Sequence, residues 1–191
     1  MQTALSRHIM DETRHAWLWT KRIMDMKGVV VNPDDGYQRR IGRDIIPRSL
    51  FEIFALTVVV EQRALTRYQL HLSRPDVDEE TRKTLAAVSS DEHWHVGWIE
   101  AAAKEMAKEQ GNPGLYEDAI ARYRAIDDKV TIGLHDYERG LFGFSYADPF
   151  KPEDLVTKAK LREKRLSELD WKAHKEAPGV KAAAAAALMG I

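Results

Sequence analysis

Apolar residues recur along this chain at three-and-four spacing, the period of helices that turn one face inward. In residues 2–27, Leu5, Ile9, Glu12, His15, Trp19, Ile23 and Met26 fall on one stripe, and Gly28 is placed to stop the helix. A second helix is predicted from Ser49, a plausible N-cap, to about Ser73, with Leu50, Phe54, Val58, Glu61, Leu65 and Tyr68 on its stripe. Phe51, Ala55 and Val59 flank that stripe, so this helix is expected to be buried on more than one side. Its β-branched run could suit a strand, but the length and the flanking pattern favour helix. After the break at Ser73-Arg74-Pro75-Asp76, an acidic start leads into a third helix that ends near Gln110. Leu85, Val88, Glu92, His95, Ile99, Ala102 and Met106 form its bundle seam. A fourth helix covers roughly 115–141. A fifth, heavily charged one is predicted at about 152–176, beyond an irregular aromatic segment. Asn32-Pro33-Asp34-Asp35-Gly36 marks a turn inside a long connection from Val29 to Pro47. The expected fold is an all-α bundle of about five helices, with one domain at 1–176 and an Ala-rich tail at 177–191.

Composition narrows the class without changing it. A chain of 191 residues suits one domain, and the net charge of −1 gives no global pull toward nucleic acid or an anionic membrane. The absence of cysteine removes disulfides, iron–sulfur clusters and thiolate zinc sites. No run approaches the roughly 20 apolar residues of a membrane span, and Arg7, Asp11, Glu12 and Arg14 come too early for a secretory signal. A cytoplasmic location is the expectation.

The chemistry lies in a repeated pentapeptide. Asp11-Glu12-Thr13-Arg14-His15 and Asp91-Glu92-His93-Trp94-His95 both read D-E-x-x-H, and Glu61 stands alone after the apolar run Leu56–Val60. A carboxylate and an imidazole three apart project from one face of a helix. A lone E-x-x-H is more often a solvated pair than a ligand set. Here, however, Glu12, Glu61 and Glu92 all occupy positions where a core hydrophobe belongs. A bare buried carboxylate costs several kcal/mol, so something should neutralise it. Carboxylate oxygens with imidazole nitrogens suit iron or manganese.

Helix with Glu-x-x-His, helix with Glu, helix with Glu-x-x-His resembles three of the four ligand helices of the ferritin-like di-iron carboxylate superfamily, in its oxygenase and desaturase branch. The likeness covers residues 1–110. It implies a ferritin-like bundle whose ligands are Glu12, His15, Glu61, Glu92 and His95, holding two Fe ions, with Mn or mixed Mn/Fe as variants. It further implies that Asp11 orients His95, that Asp91 orients His15, and that Arg14 neutralises Asp91. Trp94 replaces the corresponding arginine of the second motif. The implied activity is use of O₂ to hydroxylate, epoxidise, N-oxygenate or desaturate a small organic substrate. A reductase would serve as electron donor, in a homo-oligomer or as a subunit of a complex. The alternatives are an iron-handling or peroxide-scavenging protein, and a non-catalytic subunit or truncated remnant.

The family has a further ligand helix before these three, so the set is one ligand short. A sixth is expected from an upstream segment, from another chain, or from Asp127, Asp128, His135, Asp136 or Glu138 on the fourth helix, residues that otherwise form a solvated face. His8, one turn before Glu12, reads as a satisfied core histidine, with extra ligand or proton relay as the alternative. His93 lies off the seam and reads as structural. Thr57 precedes Glu61 by one turn, whereas oxygen-activating members often carry a Thr one turn after it, where Ala64 and Leu65 stand here. Trp17, Trp19, Trp94 and Trp98 read as core packing, a substrate wall or an electron path. Lys27, Arg39, Arg40 and Arg43 form a basic patch that is solvated or holds an acidic group.

Overall fold

The computed structural model describes residues 1–28, 36–142, 144–145 and 147–153. They form an all-α bundle of five helices: α1 (Gln2–Asp25), α2 (Tyr37–Asp44), α3 (Leu50–Ser73), α4 (Glu79–Glu109) and α5 (Leu115–Phe142). No strand occurs among the described residues. Beyond residue 153, the helix expected at 152–176 and the tail at 177–191 lie outside the described residues.

Capping residues fix the helix starts. Ser49 Oγ accepts the Glu52 N–H at 3.2 Å, and Asp78 Oδ1 accepts the Thr81 N–H at 3.0 Å. Asp78 also accepts a 2.7 Å hydrogen bond from Arg22, which ties the end of α1 to the start of α4. Gly111, at φ 70°, closes α4 in the left-handed conformation that favours glycine.

The core lies between α3, α4 and α5. Phe51, Phe54, Ala55, Val58 and Val59 of α3 are buried, as the doubled stripe requires. Ile99, Ala103 and Ala107 of α4 and Ala119, Ile120, Tyr123 and Val130 of α5 join them in one cluster, and Leu85 and Val88 of α4 are buried as well. Apolar burial of this kind is the main favourable term in the fold.

Two features depart from the expected pattern. First, the long connection contains α2, whose Ile41, together with Ile45 just beyond it, is buried in the common core. This helix has only eight residues, too few to register as a period. Second, the α1 stripe is not a core seam along its length. Leu5 is 42% exposed, Ile9 58% and Met26 43%, while His8 and His15 are the buried residues. α1 packs on α4, and no Cα atom of α1 comes within 8 Å of one in α3. The gap opens a cleft beside His8.

A polar corner anchors the far end of α5. Glu138 accepts hydrogen bonds from Arg67 Nη2 at 2.5 Å and from Ser145 Oγ at 2.6 Å. Burial alone would raise the Glu138 carboxyl, but those two bonds overcome it and hold it below the ordinary 4.5. A depressed folded value stabilises the fold above the ordinary value, and that gain is lost as the pH falls through the depressed one. Glu138→Gln should therefore lower the melting temperature at pH 6 and narrow the difference between pH 6 and pH 3. Equal acid sensitivity in the variant and the wild type would refute this reading of the corner.

Candidate metal centre

Three helices deliver six donors to one point. α1 carries His8, Glu12 and His15, spaced four and three apart on one face. α3 brings Glu61, and α4 brings Glu92 and His95. His15 is 4% exposed, Glu92 2% and His95 0%, so most of the set is shielded from water. Within it two overlapping groups are able to hold a metal ion: His8, Glu12, Glu61 and His95, and Glu12, His15 and Glu92. Glu12 belongs to both, the position of a bridging carboxylate.

The spacing of the donor atoms fits a metal. His15 Nδ1 lies 3.3 Å from Glu12 Oε1 and 3.4 Å from Glu92 Oε1. His95 Nδ1 lies 3.1 Å from Glu92 Oε2 and 3.4 Å from Glu12 Oε1. His8 Nε2 lies 3.3 Å from Glu61 Oε1 and 3.7 Å from Glu12 Oε1. Ligand atoms bound at about 2.0–2.2 Å to one ion stand about 3.0–3.5 Å apart in octahedral or tetrahedral arrangement. Two donor atoms in the cluster, Glu12 Oε1 and His15 Nδ1, are buried and have no hydrogen-bond partner. Such orphans are rare in a finished core, and a cation would satisfy both.

The remaining imidazole nitrogens are oriented from outside. His15 Nε2 stands 2.9 Å from Asp91 Oδ2, and His95 Nε2 stands 3.4 Å from Asp11 Oδ2. A carboxylate only accepts, so each Nε2 carries its proton outward and each Nδ1 faces the centre. This is the reciprocal pairing expected of Asp11 and Asp91. Arg14 hydrogen-bonds Asp91. Asp91 is lowered: burial opposes, but His15 and Arg14 prevail.

The charge state of the cluster without metal is also informative. Burial and the neighbouring Glu61 push Glu92 up to about 10, so its carboxyl holds a proton at neutral pH. Burial would raise Glu12, but the His15 and His8 imidazoles beside it hold it at about 2. Burial would lower His8, but its bonds to Glu12 and Glu61 raise it to about 9. His95, stacked on His8 with ring centroids 3.7 Å apart, is pushed down by burial and by the His8 charge. Protons thus sit where a dication would replace them, the usual coupling of metal binding to proton release.

No protein-family model, curated protein or solved structure matches the chain. The centre is therefore read from its own atoms.

The sixth donor is His8, and the acidic residues of α5 are turned elsewhere. Asp127 accepts bonds from Arg63 and Tyr37, Asp128 from Arg63, Glu138 from Arg67, and Asp136 from Arg139. Neither they nor His135 belongs to a metal-holding group among the described residues. The spacing His8-x3-Glu12-x2-His15 carried the signal, since all three fall on one helical face. His93 bonds the Ser89 carbonyl at 2.8 Å, in keeping with its place off the seam.

The tryptophans divide. Trp98 packs edge-on to His8 and walls the cleft, Trp94 neighbours Trp98, Trp19 lies 6.0 Å from Tyr68, and Trp17 is 60% exposed. Of the basic patch, Arg39, Arg40 and Arg43 lie on α2, and the Arg40 guanidinium sits over the Tyr137 ring.

Proposed function

We propose that the bundle holds two iron ions, or Mn or a mixed pair, and uses O₂ to oxidise a small, uncharged organic substrate. The reaction would be hydroxylation, epoxidation, N-oxygenation or desaturation, as in the ferritin-like di-iron oxygenases that its motifs resemble. The carrying observation is that two of the six donors, His8 and Glu12, open onto a cleft of about 490 Å³. His8 and Glu12 line it together with Leu5, Ile9, Ile53, Phe54, Trp98 and Ile99, and no Lys or Arg does. Its Thr13 and Thr57 hydroxyls already donate to the Ile9 and Ile53 carbonyls. A cleft of this size and largely apolar lining suits an apolar organic molecule.

His8, Glu12, His15, Glu61, Glu92 and His95 would hold the metals. Bound iron supplies activation of O₂, which no side chain here offers. The chain supplies the rest. Glu12 would serve both donor groups, Asp11 and Asp91 would keep the imidazoles aimed inward, and the apolar walls would exclude water and set substrate choice. Electrons would come from a separate reductase.

Iron handling without an organic substrate has no use for an apolar cleft at the ligands, and a metal-free structural subunit has no use for six converging donors. Protein from iron-rich medium should contain about two metal equivalents per chain; well under one would sink the reading. Thr57→Trp, which fills the cleft, should keep its metal and its ability to oxidise added Fe(II). It should lose the O₂ uptake that uncharged alkenes or arenes stimulate in the wild type. Stimulated uptake that survives in this variant would overturn the assignment of the cleft.

A further inference from the structure

The two motifs differ at two positions, Thr13 against His93 and Arg14 against Trp94, and the fold compensates for the second. Arg14, three residues after Asp11, hydrogen-bonds Asp91 and so braces the acceptor of His15. The matching residue three after Asp91 is Trp94, whose ring cannot play that part for Asp11. Instead the Arg7 guanidinium carbon lies 3.9 Å from the Trp94 ring centroid. Arg7 Nε lies 3.7 Å from Asp11 Oδ2, the same oxygen that stands 3.4 Å from His95 Nε2.

We infer that Arg7, held against Trp94, is a positioning residue that stands in for the missing motif arginine and keeps Asp11 aimed at His95. The inference rests on the reading of the cluster as a metal centre. Arg7 is 56% exposed on its side chain, and an exposed ion pair by itself fixes little. Stacking on an indole changes that. It confines a side chain with many rotamers and leaves one edge of the planar guanidinium toward the carboxylate. Asp11 is then held, the His95 Nε2–H is kept in place, and His95 Nδ1 stays turned to Glu12 and Glu92. Lysine cannot reproduce this, because it lacks the flat face and the second edge.

The test is a visible-absorption titration of metal-free protein with Co²⁺. It is paired with ¹⁵N NMR of the His95 ring in the metal-free state. Arg7→Ala should weaken Co²⁺ binding about tenfold, the low end for outer partners of metal-bound histidines, and shift the His95 tautomer population. Arg7→Lys should fall between Arg7→Ala and the wild type. The decisive variant is Arg7→Ala combined with Trp94→Arg, which rebuilds D-E-x-R-H in the second motif. It should recover binding to within about twofold of the wild type. Wild-type binding by Arg7→Ala would overturn the inference and leave the metal reading standing. A double variant no better than Arg7→Ala would also overturn it, since a general loosening of α1 would not be repaired. A wild-type protein that takes up no Co²⁺ would overturn the metal reading, and the inference with it.

Discussion

Glu92→Gln should give a protein that folds normally and no longer holds metal. The side chain is 2% exposed, and burial with the Glu61 hydrogen bond pushes its carboxyl up to about 10. At pH 7 the metal-free protein already carries it neutral, so a neutral amide of the same shape costs at most about 1 kcal/mol. Metal binding needs the anion. Its loss should weaken affinity by on the order of 100-fold or more, beyond the 10–100-fold typical of outer partners. The pH dependence has a definite sign. A carboxyl raised in the fold contributes fully below its ordinary 4.5, and that contribution is lost as the pH climbs toward about 10. The metal-free variant should therefore gain stability relative to the wild type between pH 5 and pH 9. Metal analysis and denaturation at the two pH values check both halves. A variant that retained its metal would remove Glu92 from the centre.

Asp127→Ala should do the reverse, costing stability and sparing the metal. Asp127 is 2% exposed and accepts from Arg63 Nε at 2.8 Å, Arg63 Nη2 at 2.5 Å and Tyr37 Oη at 2.7 Å. These bonds join three helices: α2, α3 and α5. Truncation strands the Tyr37 phenol and leaves Arg63 with its bond to Asp128 alone, a loss of about 1–3 kcal/mol. The denaturation midpoint should fall accordingly, with metal per folded chain unchanged. If metal content fell with stability intact, Asp127 would return as a ligand.

Together these two acids show what could be read from the sequence. Glu92 stood out because it interrupts an apolar seam and repeats a motif, and it lies in the centre. Asp127 is just as buried, but its neighbours Asp128 and Asp136 made the stretch look like a solvated face. Periodicity reports which face a residue is on. It does not report what stands opposite, and Arg63 and Tyr37 come from 64 and 90 residues away. His8 was visible on its stripe, yet an imidazole on an apolar face is ambiguous until Glu61 is seen 3.3 Å from it. The cleft was the least legible feature. Leu5 and Ile9 carry the pattern of core residues, and only the separation of α1 from α3 leaves them exposed. The helices themselves were plain, because four of the five run for 24 residues or more, and α2, with eight, was the one missed.

That separation also bears on how the centre fills. α1 supplies three of the six donors, yet its backbone rests on α4 alone. No residue of α1 belongs to the main hydrophobic cluster, which α2 to α5 build. If the centre fills as proposed, an ion between α1 and the other two helices would work as a rivet. Metal binding there would add its own free energy to the docking of α1. Depletion would then loosen α1 ahead of the rest of the fold, leaving it on the Arg22–Asp78 and Arg14–Asp91 contacts.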